Sequence, residues 1–313
     1  MKNLRVLGCL ALVFLLGSCA KEQLEQKTLK TPAFKVQDGR LVFAAEKDYF
    51  ELRNLFVADQ AQAQELLDET KGFISIRKLF DQIDFEQYGQ LPVDQVLNAY
   101  PGIVTLERDG KDTYVEENAF GFMYPRVNNR DGIFQIGDTI YKSTRTMLYK
   151  FHVRHLGEVA NLNTIPGIYS QELKYESSNS RLRNLQEDCE SYYDSNKYKL
   201  KGRNGRSGSS TNFYMFAESV HYKRGAFSIW FREQADQISV STSGTSSNPL
   251  VQNVDSWNFP TTTNNFDSKV DIIALERTVP SINRQVSFLM NSDHDMVDGV
   301  REPSCSITNG WSE

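Results

Sequence analysis

Asp293-His294-Asp295 sets an imidazole between two carboxylates, a combination able to ligate a cation or move a proton. Its neighbours Asn291, Ser292, Asp298 and Gly299 read as a polar loop. His152 and His155 have a spacing that a metal could use on a helix. The surrounding MLYKFHVRHL reads instead as a strand, where residues three apart point to opposite faces. Glu116-Glu117 and the Asp81, Asp84 pair are carboxylate pairs, but a glycosidase dyad is defined in space, not along the chain. The chain has no phosphate loop, no G-x-G-x-x-G after a strand, no G-x-S-x-G elbow and no H-E-x-x-H. No catalytic residue, metal site or cofactor is therefore expected, and a binding role outweighs an enzymatic one.

Two features could bind. Taking Arg224-Gly225 as a two-residue hairpin loop pairs Lys223 with Ala226, Tyr222 with Phe227, Val220 with Ile229 and Glu218 with Phe231. One face then carries Tyr214, Phe216, Val220, Tyr222, Phe227, Ile229 and Phe231. The other carries Ser219, His221, Ser228, Trp230 and Arg232. An aromatic ring flanked by hydrogen-bonding groups is a way to hold a sugar, so Trp230, His221 and Arg232 are the candidate ligand-binding residues. The bland reading is that a loop or the N-terminal part covers Trp230. The second feature, Lys197 to Arg203, sets four cations on one side of a strand and Tyr198 and Leu200 on the other. Such a stripe could attract an anionic glycan, or it is a solvated edge that discourages pairing with other sheets.

The elements that must position these residues change character along the chain. Leu41 to Phe43 reads as a strand. Residues 46–57 and 59–83, the latter broken near Gly72, have helical spacing, and a third helix fits between Pro92 and Tyr100. The period then falls to 2. Hairpins are expected around Asp109-Gly110 and Gly137-Asp138, with a strand at 146–153. Six further strands are expected, at 198–201, 212–222, 226–232, 238–242, 269–276 and 286–290. The fold class is α+β: a helical and β-hairpin N-terminal part over 34–160, a linker at 161–187, and an antiparallel β-sandwich-like domain over 188–313.

The start of the chain supplies an address. Lys2 and Arg5 precede an apolar run from Val6 to Leu16, which is too short to span a bilayer and reads as a signal-peptide core. Leu16-Gly17-Ser18-Cys19 resembles the bacterial lipobox. This implies a signal over 1–18, lipid attachment at Cys19 and a polar tether over 19–33. Ala20 in place of aspartate points to the outer membrane. With Cys9 removed and Cys19 acylated, Cys189 and Cys305 remain, either as a disulfide or as two buried thiols. Neither has a nearby histidine or second cysteine suited to metal or nucleophile use. Net charge is −5, with 35 basic against 40 acidic side chains, which argues against a nucleic-acid partner.

Together with the lipobox, KVQDGRLVFAAEKDYFELRNLF and NNRDGIFQIGDTIYK resemble a family of Bacteroidetes outer-membrane lipoproteins of unknown function. The resemblance covers the first 150 residues best. It implies an envelope lipoprotein and supplies no catalytic residues. Asp138-Thr139-Ile140 also resembles a Bacteroidetes O-glycosylation acceptor, although the same three residues suit a plain hairpin turn. The expected function is non-catalytic binding or adhesion from a lipid anchor, with a glycan or an envelope protein as partner. The alternatives are an envelope hydrolase assembled from distant residues, Asp293, His294 and Asp295 among them, and a structural subunit of an outer-membrane complex.

Overall fold

A computed structural model describes residues 32–88, 91–173, 186–208, 213–246, 256–273 and 287–312. The signal segment, Cys19 and the tether up to residue 31 lie outside the described residues. Strands β1 (Phe34–Gln37) and β2 (Arg40–Phe43) turn through Asp38-Gly39, both at positive φ. Helix α1 (Glu46–Ala58) starts where Asp48 accepts the Ala45 N–H at 3.0 Å. Asp59 caps α2 (Gln60–Asp68) and Ser75 caps α3 (Ile76–Asp81), each satisfying an orphan N–H of the first turn. Gly72, at φ +81°, separates α2 from α3 where the break was expected. Two short helices follow, α4 (Phe85–Tyr88) and α5 (Val93–Ala99).

Both expected hairpins form: β3 (Val104–Asp109) with β4 (Asp112–Glu117), and β5 (Ile133–Ile136) with β6 (Thr139–Ser143). Between them lies α6 (Tyr124–Val127). Strand β7 (Met147–His152) runs into a 3-10 helix at Val153–Thr164, and β8 (Tyr169–Glu172) follows. The second half is almost all strand: β9 (Gln186–Tyr193), β10 (Tyr198–Gly208), β11 (Phe213–Arg224), β12 (Ile229–Arg232), β13 (Ala235–Ser246), β14 (Ser256–Phe266), β15 (Ser268–Ile273), β16 (Ser287–Val297) and β17 (Ser304–Ser312).

Three sheets result, with strand orders β1-β2-β5-β6-β7-β8, β3-β4-β12-β11-β10-β9 and β14-β13-β16-β17; β15 also pairs with β11. The chain is mostly β with a few helices, an α+β fold with a β-rich body. Among the described strands, β2–β5 and β4–β12 alone pair parallel. The β4–β12 pairing carries backbone hydrogen bonds from the first half of the chain into the second. One apolar core joins α1 and α2 to the first sheet through Leu41, Phe43, Leu52, Phe56 and Phe134. Another packs Phe80, Ile83 and Val96 on Val104, Val115, Ile229 and Phe231.

The β11–β12 register corrects the expected one. The pairs are Tyr222 with Arg232, Lys223 with Phe231 and Arg224 with Trp230. The connection is longer than two residues: Gly225 donates its N–H to Ile229 O, with Phe227 and Ser228 at φ +58° and +61°. The slip is an odd number of residues, so it exchanges the two faces of β12. Alternation could not decide between the registers because both faces of this strand are buried. Ile229 and Phe231 meet the helices, while Trp230 meets Tyr114, Val220 and Tyr222.

Candidate ligand-binding cleft

The proposed sugar platform does not exist as a surface. Trp230 is 2% exposed, His221 is fully buried and Arg232 is 9% exposed. The corrected register puts Trp230 and Arg232 on one face and His221 on the other. Arg232 is the centre of a buried ion cluster. Its Nε donates to Glu116 at 2.8 Å, and Nη2 lies 2.8 Å from Glu116 and 3.3 Å from Glu117. Asp267 is 3.9 Å away, shared with Arg77 of α3 at 2.9 Å. Burial works against ionisation of Asp267, but Arg77 and Arg232 hold it down at about 2.

His221 stacks on Tyr193 and Tyr198, and its Nε2 lies 2.6 Å from the Tyr193 hydroxyl, which also reaches Asp298 at 3.2 Å. Burial pushes the imidazole below its ordinary range, so it is a neutral core group.

The cation stripe is not an edge, and of its four cations only Lys197, just ahead of β10, is exposed. Strand β10 is flanked by β9 and β11, and Lys199, Lys201 and Arg203 are all buried. Lys199 Nζ contacts Asp112 at 2.7 Å and Glu190 at 2.9 Å, and sits 4.5 Å from the centre of the Trp230 ring. Lys201 pairs with Asp109 and, at 3.3 Å, with Asp188. Strands β4 and β10 lie three strand spacings apart, roughly 14 Å in a flat sheet. Contact between their side chains therefore requires the second sheet to curl, enclosing the cations. Asp112 and Glu190 are pushed up by burial but held below the usual carboxylate range, chiefly by Lys199 for Asp112 and by Tyr192 and Lys199 for Glu190. These lysines are internal ties.

Asp293, His294 and Asp295 lie within strand β16, not in a loop. His294 is fully buried while both aspartates are exposed on the opposite face, so the three do not converge. Ser219 Oγ donates to Ser239 O at 2.7 Å and lies 2.9 Å from His294 Nδ1. Having spent its proton on the carbonyl, Ser219 accepts from Nδ1–H, which leaves Nε2 to accept from Ser292 Oγ at 2.9 Å. That assignment is the reverse of an activated serine. Burial lowers His294 to about 4. Cys189 and Cys305 form a disulfide that ties β9 to β17. The strand expected through His155 ends at His152, whose Nδ1 accepts the Arg154 N–H at 3.1 Å, while His155 lies in the 3-10 helix and pairs with Glu158 at 2.8 Å. No group of three or more His, Cys, Asp or Glu among the described residues is arranged to hold a metal ion.

Among the described residues, a polar cleft of about 270 Å³ opens on the first half of the chain, a little below the usual size range of ligand sites. Ile76 and Pro101 give it an apolar side. Asn118, Ser143 and Thr144 line it with side chains engaged internally, Asn118 donating to Gly102 O at 3.3 Å, Ser143 Oγ accepting from Asn128 at 2.6 Å and Thr144 Oγ1 accepting the Met147 N–H at 3.0 Å, and Arg130, Asp131 and Lys142 supply charge. Its rim is a fixed turn: Asn129 Oδ1 accepts from the N–H groups of Asp131 and Ile133, both at 3.1 Å. Gly132 must be glycine there, with φ +75° and a position where a Cβ would come within 2.7 Å of Ser143 O. Lys142 Nζ donates to the Asp131 carbonyl at 2.7 Å. These residues were not picked out by type or spacing. The available signal was Asn129-Arg130-Asp131-Gly132, an Asx-turn pattern opening a hairpin whose return strand carries Lys142.

No family model matches the chain and no curated protein matches it. Among solved structures, the chain is similar to the crystal structure of a DUF4848 family protein from Bacteroides thetaiotaomicron. The two share 12% identity, the match covers 88% of this chain and 100% of that one, and the TM-score is 0.29.

Proposed function

We propose that this protein is a lipid-anchored envelope protein that binds a small polar ligand of the sugar class in the Arg130–Lys142 cleft, without transforming it. The observation that carries the reading is the composition of the cleft wall. Among the described residues, it combines hydroxyl, amide and charged groups of the kind a polyhydroxyl ligand meets, with no nucleophile–base pair. Its volume suits a single sugar unit. The lipobox-like Leu16 to Cys19 supports acylation at Cys19 and an outer-membrane location, with membrane lipid as one partner and a glycan or glycosylated envelope component as the other. In this reading the 188–313 part is sandwich-like and rigid. The Cys189–Cys305 bond and the His294 contacts with Ser219 support that arrangement.

Two experiments test the proposal. Residues 32–313, which form one compact unit, are applied to a glycan array beside the Arg130→Ala variant. Binding that the variant loses supports the reading, and no binding to any glycan overturns it. Metabolic labelling of the full chain with a fatty-acid analogue should mark the wild type and not Cys19→Ala; an unlabelled wild type overturns the anchor.

A further inference from the structure

One end of the second sheet gathers three turns. The parallel β4–β12 register sets Ile229 beside Thr113, which brings the β3–β4 turn with Lys111 next to the β11–β12 turn with Phe227. Arg224 donates its N–H to Lys197 O at 2.7 Å and so joins the β9–β10 turn to the same end. Phe227 is 70% exposed, on a turn where it and Ser228 both hold positive φ. That conformation is costly for any residue with a Cβ, and burial returns nothing to this ring. The Arg224 guanidinium, 5.7 Å from the centre of the Trp230 ring, donates to Ser228 Oγ at 2.8 Å and braces the turn. Tyr192, 44% exposed, packs edge-on to the same indole at 6.0 Å.

The charges at this end are also distinctive. Lys111, Lys197 and Arg224 are exposed and form no ion pair among the described residues. The carboxylates of the same turns are already met: Asp109 by Lys201, Asp112 by Lys199 and Asp194 by Arg301. The chain as a whole carries a net −5, so attraction to an anionic surface has to come from a local group of cations such as this one. A ring projecting from a turn cannot enclose a small ligand. It can enter an acyl layer while the cations around it meet phosphate headgroups. A tether over 19–33 reaches about 50 Å when extended, enough for the body to turn this end to the bilayer that holds the anchor.

We propose, resting on the anchor reading above, that this end docks the body on an anionic phospholipid surface. Phe227 enters the acyl layer, Tyr192 lies at headgroup level, and Lys111, Lys197 and Arg224 face the phosphates. Residues 32–313, which lack Cys19, are sedimented with vesicles of phosphatidylcholine alone or with about 30% phosphatidylglycerol. Partition into the mixed vesicles is expected to exceed that into the neutral ones at least about tenfold, and to fall in about 0.5 M salt. Phe227→Gly suits the positive φ and so keeps the fold; it should weaken partition about tenfold. Arg224→Gln should weaken it about fivefold. Tyr169→Ser, which removes an exposed ring from the first sheet, should leave it unchanged. Absence of sedimentation, or sedimentation that Phe227→Gly and Arg224→Gln both retain, overturns the docking end. So does a lipid-free dimer that Phe227→Gly dissociates, which would assign the ring to a second copy. Neither failure touches the anchor or the sugar site, because this chain carries no acyl group, and an unlabelled Cys19 overturns the anchor separately.

Discussion

Arg232 separates a ligand-binding role from a structural one. Replacing it with Met keeps most of the stem volume and removes the guanidinium. Glu116 then keeps only the Tyr222 hydroxyl, at 2.5 Å, inside a fully buried site. Glu117 and Asp267 still have Arg77, at 3.0 and 2.9 Å. Breaking a buried pair by removing one member costs about 3–5 kcal/mol, and Glu116 is the group left uncompensated. The loss should depend on pH. Asp267 sits at about 2, below its ordinary 3.8, a shift corresponding to about 2 kcal/mol shared between two arginines. A carboxylate depressed in the folded state contributes stability above its unfolded pKa and loses it as pH falls through the folded one. The gap between wild type and Arg232→Met should therefore be largest at pH 7 and narrow from about pH 4 towards pH 2. Urea unfolding followed by far-UV circular dichroism at a series of pH values measures it. A loss below about 1 kcal/mol at pH 7 would refute the structural assignment of Arg232.

Other outcomes follow from the same contacts. Removing both Cys189 and Cys305 releases a 116-residue separation and should cost about 5 kcal/mol in the chain-entropy model, read as a lower melting temperature that reductant reproduces in the wild type. His294, depressed to about 4, should make the fold lose stability as pH drops from about 6.5 to 4, by about 3 kcal/mol; His294→Asn should flatten that part of the acid profile. Gly202→Ala should destabilise strongly, since a Cβ there falls 2.5 Å from His294 Cγ and 2.7 Å from Cys189 Sγ. Phe227 is 70% exposed at φ +58°, so Phe227→Gly should raise stability by about 1 kcal/mol; an unchanged or lower melting temperature would argue that its side chain holds the turn.

Where a local rule decides the structure, the chain was readable. Gly72, Asp109-Gly110 and Gly137-Asp138 mark turns by conformational need alone, and the α1 and α3 stretches carry clear helical spacing. Strands β1, β8, β9, β14 and β17 escaped notice; β8 and the start of β9 fall in the expected linker, and β14 and β17 are rich in Ser, Thr and Asn and show no apolar alternation. The largest misreading concerned Lys199, Lys201 and Arg203. On one strand, alternating cations look solvated; here the curl of the sheet brings in Asp112, 87 residues away, and Asp109, 92 away. Pairing at that distance leaves no local trace. Trp230 failed for a different reason: a strand buried on both faces satisfies either register, so periodicity gave no preference. The cleft was legible only as a turn motif, because Arg130 and Lys142 come together through hairpin pairing.

The measurement that bears most directly on the central claim is backbone NMR mapping of residues 32–313 during titration with a glycan fragment that the array identifies. Perturbations confined to 101–102, 118, 130–132 and 142–144, and absent in Arg130→Ala, are the predicted result. Perturbations centred on Trp230, His221 and Arg232, or none anywhere, would contradict it.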